Sequence, residues 1–239
     1  MKIASPHNRL ASFWGKVDRE HNELIAQNVT GVDVLDIGCG YGSLSAHLYS
    51  QKLRVLGIDN DVDSIRIAKN LFPHVPIVEK SLQELETGQL FDTVTMKDTF
   101  HHLYGEADIN ECMQLVRGLL RPGGRLIILD PNPCLLVRIC RRIARHVDEE
   151  APASVVPEVL QKNGFQVLSF RYFETIALPL SGGYVGINLV PNLKIAHRTI
   201  LAANRLITGI ARLLGLEKHI CWRYLFVAEL SDSFQNPCA

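Results

Sequence analysis

The run Val34-Leu35-Asp36-Ile37-Gly38-Cys39-Gly40-Tyr41-Gly42 has the composition of a loop that cradles a ligand. Glycines at alternate positions let the backbone turn tightly and approach a ligand where a Cβ would intrude. An apolar stretch, Val32 to Ile37, precedes the glycines and is broken only by Asp33 and Asp36; Ser43 to Gln51 then reads as a helix. Strand, glycine turn and helix N-terminus suit a nucleotide-like ligand, because the helix aims free N–H groups and its positive dipole end at the turn. Asp36 narrows the choice. A carboxylate there repels a pyrophosphate and suits an ammonium or sulfonium group, and the spacing is GxGxG rather than the GxGxxG of dinucleotide sites. Val55-Leu56-Gly57-Ile58-Asp59 is a second buried run ending in an acid about 20 residues after the turn, where a carboxylate can accept both hydroxyls of a ribose.

These residues resemble the first motif of the class I S-adenosylmethionine-dependent methyltransferases, within them the branch related to ubiquinone and menaquinone biosynthesis. The resemblance implies S-adenosyl-L-methionine as cofactor, with Asp36, Gly38, Cys39, Gly40 and Asp59 around it. Asn60 either touches the ribose or adenine side or simply turns the chain. In related enzymes an acid that accepts the adenine amino group often stands where this chain has Ser81, so adenine recognition falls here to the Ser81 hydroxyl and the Leu82 backbone. Phe91 to Lys97 reads as the fourth strand, and Asp98-Thr99-Phe100-His101-His102-Leu103 again resembles the quinone branch, where paired histidines follow that strand. A backbone carbonyl near Lys97 is placed for the cofactor's amino group. His101 or His102 is the candidate general base, since imidazole titrates near neutrality. Adjacent helical residues point about 100° apart, so at most one of the two faces a pocket; the alternative is that both orient the turn by hydrogen bonding. Leu119 to Asp130, with Pro122-Gly123-Gly124 between a helix and a buried strand, resembles a later motif of the family and is scaffold.

Around these motifs the chain reads as one large α/β domain, or a domain with an insertion. Formal net charge is zero, which argues against bulk electrostatic binding of nucleic acid. The six cysteines show no CxxC pair and no metal-ligand spacing, so free thiols in a reducing compartment are expected and no metal is implied. No apolar leader or spanning stretch is seen, which gives a cytoplasmic expectation with association at a membrane surface left open.

The expected architecture is a Rossmann-like, doubly wound, mostly parallel seven-stranded sheet with a C-terminal helical cap insertion. Residues 9–28 read as a helix with Leu10, Phe13, Trp14, Val17, Leu24 and Ile25 on one side; the resemblance implies that 1–30 form an N-terminal lid helix with Phe13 and Trp14 nearest a ligand, the alternative being a packing helix over an edge of the core. The core would comprise 31–174 and 221–231, and 175–220 the cap, placed over the carboxyl ends of the strands. Two stretches depart from the family. Leu135 to His146 and Thr175 to Leu216 are basic, amphipathic and without acids, a pattern for an anionic membrane or an amphiphilic substrate, or else for a plain second layer of helices. Tyr184 and His197 are polar groups within the insertion. The reading is methyl transfer to an O, C or N of a small, hydrophobic, quinone-like acceptor. A methyltransferase acting on RNA or protein, and a non-catalytic binder of S-adenosylmethionine or S-adenosylhomocysteine, stand as alternatives; a nicotinamide enzyme is disfavoured by Asp36 and the glycine spacing.

Overall fold

The computed structural model describes residues 6–85, 88–106, 108–144, 151–183 and 188–231. Helices α1 (Pro6–Ala11) and α2 (Phe13–Ala26) lead into β1 (Asp33–Ile37), α3 (Ser43–Ser50) and β2 (Arg54–Asp59). Then come α4 (Val62–Leu71), β3 (Ile77–Glu79), β4 (Phe91–Lys97), α5 (Phe100–Glu106), α6 (Ile109–Leu119) and β5 (Leu120–Pro131). The rest is α7 (Leu135–Ala144), α8 (Val156–Lys162), β6 (Phe165–Phe173), α9 (Ala177–Leu180), α10 (Lys194–Leu213), α11 (Glu217–Ile220) and β7 (Arg223–Leu230).

The strands form one seven-stranded, mostly parallel mixed sheet in the order β3-β2-β1-β4-β5-β7-β6. Central β1 is buried at every position, as a parallel strand covered on both faces must be. Its register sets Asp36 beside Gly57 of β2 and Thr95 of β4. In β5 the Pro122-Gly123-Gly124 segment lies within the strand rather than before it. Phe91 pairs with Leu120 and Thr93 with Arg125, so the extra residues loop out of the ladder.

The chain divides into two compact units. A sheet unit comprises Asn22–Asp130, Glu149–Phe170 and the chain from Leu225. At the amino ends of its central strands, the Arg54 guanidinium grips Asp33 through two bonds of 2.6 and 2.7 Å, and Arg121 bridges Asp33 and Asp92 at 3.0 and 2.7 Å. Arg54 and Arg121 hold the Asp33 carboxyl down at about 2. Asp92 also accepts the N–H groups of Val32 and Asp33, and a Cβ on Gly31 would lie 2.2 Å from its side chain.

A helical unit comprises the chain up to His21, the stretch from Pro131 through α7, and Arg171–Tyr224. Its core gathers Phe13, Val17, Cys134, Val137, Leu178 and Trp222. The single helix expected over 9–28 is instead broken at Ser12, whose hydroxyl bonds the Arg9 carbonyl and accepts the Trp14 N–H. Phe13 is buried against the His197 ring, centroids 4.9 Å apart, while Trp14 is half-buried beneath the Arg9 guanidinium. Both observations make these aromatics packing residues within this unit. His21 pairs with Glu174 at 3.1 Å, both buried.

Helix α10 turns a mixed face inward: His197, Asn204, Thr208 and Ala211 are buried and Ala196, Ile200 and Leu201 pack on the core, whereas Ile195, Leu206, Ile210 and Leu213 are exposed. Hydrogen bonds explain the polar part of that face. The Asn204 amide oxygen accepts the N–H groups of Thr175, Ile176 and Ala177 at 2.9, 2.9 and 3.2 Å, satisfying the otherwise orphaned donors at the start of α9. The apolar, glycine-rich stretch after residue 177 thus begins as a short helix. Tyr184 lies outside the described residues.

Candidate functional site

The sheet unit alone brings the glycine turn and the carboxyl ends of β1, β2 and β4 together. Gly38, Gly40 and Gly42 all take left-handed backbone angles (φ 67, 51 and 77°). At Gly38 a Cβ would sit 2.2 Å from the Thr99 hydroxyl, and at Gly42 2.6 Å from Ile77. At Gly40 it would meet nothing within 4 Å, so the turn is packed on both sides and open in the middle. Gly57 completes the close approach, since a Cβ there would lie 2.7 Å from the Ser45 hydroxyl and 3.1 Å from the Cys39 sulfur. The Cys39 N–H bonds the Ile58 carbonyl at 2.9 Å, fixing the turn to β2, and burial pushes its thiol far up, so it is no nucleophile.

Asp59 ends β2 and accepts the Gly40 N–H at 2.8 Å on one oxygen and the Asp61 N–H at 2.9 Å on the other. A carboxylate has about four acceptor positions, so two remain. Asn60 is exposed beside it, and Asp61 caps α4 through Asp63 and Ser64. Asp36 is fully buried and accepts the Ser45 hydroxyl at 2.6 Å and the Thr95 hydroxyl at 3.0 Å. Burial outweighs these bonds and raises its carboxyl to about 6.

Lys97 ends β4. Its ammonium donates to the Asn22 side-chain oxygen at 2.6 Å, and its carbonyl accepts the Thr99 hydroxyl at 3.1 Å. Ser81 stands apart in character: its N–H and hydroxyl both bond the Glu84 carboxylate, at 3.0 and 2.8 Å. Leu82 beside it is buried.

The two histidines diverge as adjacent helical residues should. His101 is buried and His102 is exposed, with the rings 4.1 Å apart at their centroids. Sequence reasoning missed the residue that holds His101. Asp130, buried at the end of β5, accepts the His101 Nδ1 at 3.0 Å and the N–H groups of His101 and Thr99 at 2.8 and 3.0 Å. A signal existed: Asp130 is an acid closing the apolar run Leu126–Leu129, as Asp36 is an acid inside the first run. Asp98, between Lys97 and Thr99, is also notable for a left-handed φ of 58° at the sharp β4–α5 corner.

Residues 34–124 match the family model described as "Methyltransferase domain". The chain is 32% identical over 96 residues to an uncharacterised methyltransferase of Alkaliphilus oremlandii, covering 40% of this chain and 44% of that protein. It is 32% identical over 114 residues to the mitochondrial ubiquinone biosynthesis O-methyltransferase of Mus musculus, covering 44% and 32% of the two chains. The chain therefore spans less than half the length of these two relatives. A crystal structure of a SAM-dependent methyltransferase from Archaeoglobus fulgidus superposes with a TM-score of 0.64 at 19% identity, covering 90% of this chain and 93% of that one. Matched segment, strand order and glycine turn agree: residues 34–124 carry a methyltransferase domain, and the chain has the fold of an S-adenosylmethionine-dependent methyltransferase.

Proposed function

We propose that the protein transfers the methyl group of S-adenosyl-L-methionine to an O, C or N of a small, hydrophobic, quinone-like acceptor. One observation carries the cofactor half of this reading: Gly40 opens onto free space between two packed glycines, next to a carboxylate with acceptor positions to spare. The residues fit the group. Asp59 would hold the ribose hydroxyls, with Asn60 at the same edge, and the Gly38-Cys39-Gly40 backbone would border the methionine part. Asp36 and the Lys97 carbonyl would favour its ammonium. The Ser81 hydroxyl is engaged by Glu84, so Leu82 would meet the adenine edge through its backbone.

When bound, the cofactor supplies an electrophilic methyl on a sulfonium sulfur. The chain's own part is positioning and proton removal. Asp130 can only accept when ionised, so it sets the proton on the His101 Nδ1 and leaves the other ring nitrogen basic. That nitrogen would take the proton from an acceptor hydroxyl or activated carbon. His102, exposed, is the lesser candidate.

The quinone-like acceptor is supported by the relative whose printed name is ubiquinone biosynthesis O-methyltransferase, and by the leucine-rich exposed surface of the helical unit. The test is incubation with methyl-labelled S-adenosylmethionine and a lysate, then separation into lipid, small polar, RNA and protein fractions. Label in the lipid fraction is the expected result. Label in RNA or protein would overturn the acceptor class. Bound cofactor with no label in any lysate fraction, nor in added quinols, would overturn the activity.

A further inference from the structure

The formal charge of zero conceals a strong segregation. Residues 1–21, 131–148 and 171–224, the helical unit's share of the sequence, hold 15 Lys and Arg against 5 Asp and Glu, a formal charge of +10 that the rest of the chain cancels. Of those five acids, Asp18 and Glu174 are buried, and Glu20 is engaged by Arg205. Among the described residues of this unit, the exposed charges are all lysines and arginines.

The unit's surface is also apolar in a particular way. On α7, Leu135 is 72% exposed, with Leu136 and Ile139 also outside beside exposed Arg138 and Arg142. On α10, Ile195 (71%), Leu206 (65%) and Leu213 (87%) form a stripe, and Arg198, Arg205 and Arg212 follow it at seven-residue spacing. Both helices pack on the same core through other residues: Val137 and Cys140 of α7, and Ile200 and Leu201 of α10. The exposed leucines are thus left over from folding. An aliphatic stripe flanked by arginines matches a bilayer with anionic headgroups, where leucines enter the acyl boundary and guanidiniums stay with the phosphates. A second copy fits worse, since pairing like faces would bring two sets of exposed arginines together. RNA fits worse because the interleaved side chains are aliphatic, with no ring to stack on a base. Among the described residues no helix is long and apolar enough to cross a membrane, so the contact would lie on the surface.

We infer that the helical unit docks on an anionic lipid bilayer through the exposed faces of α7 and α10. This inference stands apart from methyl transfer and holds whatever the acceptor proves to be.

The test is flotation of the full chain with phosphatidylcholine vesicles containing or lacking 30% phosphatidylglycerol (the proportion being a choice of about one lipid in three). Binding to the anionic vesicles alone, weakened roughly tenfold or more by about 0.5 M salt, is the expected result. L206D/L213D and R142E/R198E should each weaken binding by roughly tenfold. Their melting curves and cofactor affinity should match the parent, because these side chains are exposed and outside the cofactor site. Failure to float with anionic vesicles, or equal binding by both variants, would overturn the inference. So would a concentration-dependent dimer lost in L206D/L213D without vesicle binding, which would assign the face to a second copy. Loss of methyl transfer with flotation intact would count against the proposed activity and leave the docking surface standing.

Discussion

Asp130 holds His101 twice through one oxygen, at 3.0 Å to Nδ1 and 2.8 Å to the backbone N–H. Ring orientation and backbone position are therefore locked by a single buried carboxylate, which burial itself drives toward the protonated form while His101 opposes it. If His101 is the base, His101→Ala should lower kcat by roughly 10²–10⁴-fold with cofactor affinity unchanged. His102→Ala should stay within about threefold, below what a positioned acid–base group contributes. Asp130→Asn can present an amide donor to Nδ1 and favour the wrong tautomer, so its pH–rate profile should lose the acidic limb, the fall in rate at low pH that a histidine base gives, even where the fold survives. An unchanged kcat in His101→Ala would reduce the pair to a structural corner.

Asp36 gives a pH dependence with two opposite signs. Burial raises its carboxyl from 3.8 to about 6. The folded state thus holds the proton more tightly than the unfolded one, and stability through this group grows as pH falls from about 6 to about 4. A carboxylate that favours a cationic ligand is lost over the same range. Calorimetric affinity for S-adenosylmethionine should fall below about pH 6, by at most about tenfold per unit, with no matching drop in melting temperature from this residue. Asp36→Asn should bind weakly and flatten the pH dependence.

The glycines should separate folding from binding. Gly38→Ala places a methyl 2.2 Å from the Thr99 hydroxyl at a left-handed backbone angle, so loss of the folded state or a large fall in melting temperature is expected. Gly40→Ala meets only open space and should cost about 1–2 kcal/mol from its backbone angle. It should still fold, yet bind cofactor at least tenfold more weakly if the open side is the cofactor's, an effect of about 1.4 kcal/mol or more. Wild-type affinity in Gly40→Ala would move the cofactor elsewhere.

At the other end of the strands, Asp33 is held down at about 2 by Arg54 and Arg121. Its contribution to stability is full above about pH 4 and lost as pH falls through about 2. Thermal melts between pH 6 and 2.5 should show this loss, and Asp33→Asn should be less stable at pH 6 yet show a shallower decline. Gly31→Ala, which would drive a methyl into Asp92, should be destabilised by roughly 1–3 kcal/mol.

The sheet was legible because its signals are local. Phe91–Lys97 appears with the expected bounds, and the turn between Ile37 and Ser43 announces itself by its glycines. Partnerships across the chain were not legible. Asp130 lies 29 residues from His101, and Glu174 lies 153 from His21, distances at which residue spacing carries no information. The stretch Thr175 to Leu216 was legible as amphipathic but not in its orientation. Periodicity alone sends the whole apolar side inward, whereas Asn204, by capping α9, draws a polar strip in beside Ile200 and Leu201 and leaves Leu206 and Leu213 outside. The break at Ser12 was missed for a related reason, since a single hydroxyl decides it.

That hydrogen-bonded inner face bears on how the protein behaves in a test tube. A helix held in place by the Asn204 amide, the Thr208 hydroxyl and the packed side chains of Ile200 and Leu201 does not need its outer leucines to stay folded. Those leucines are then a solubility burden in plain buffer, and Leu213 and Leu206 are the side chains through which purified material would stick to itself or to plastic. Exchanging them for glutamate or lysine should give better-behaved protein for crystals without disturbing the fold, and detergent below its micellar concentration should do the same for the native sequence.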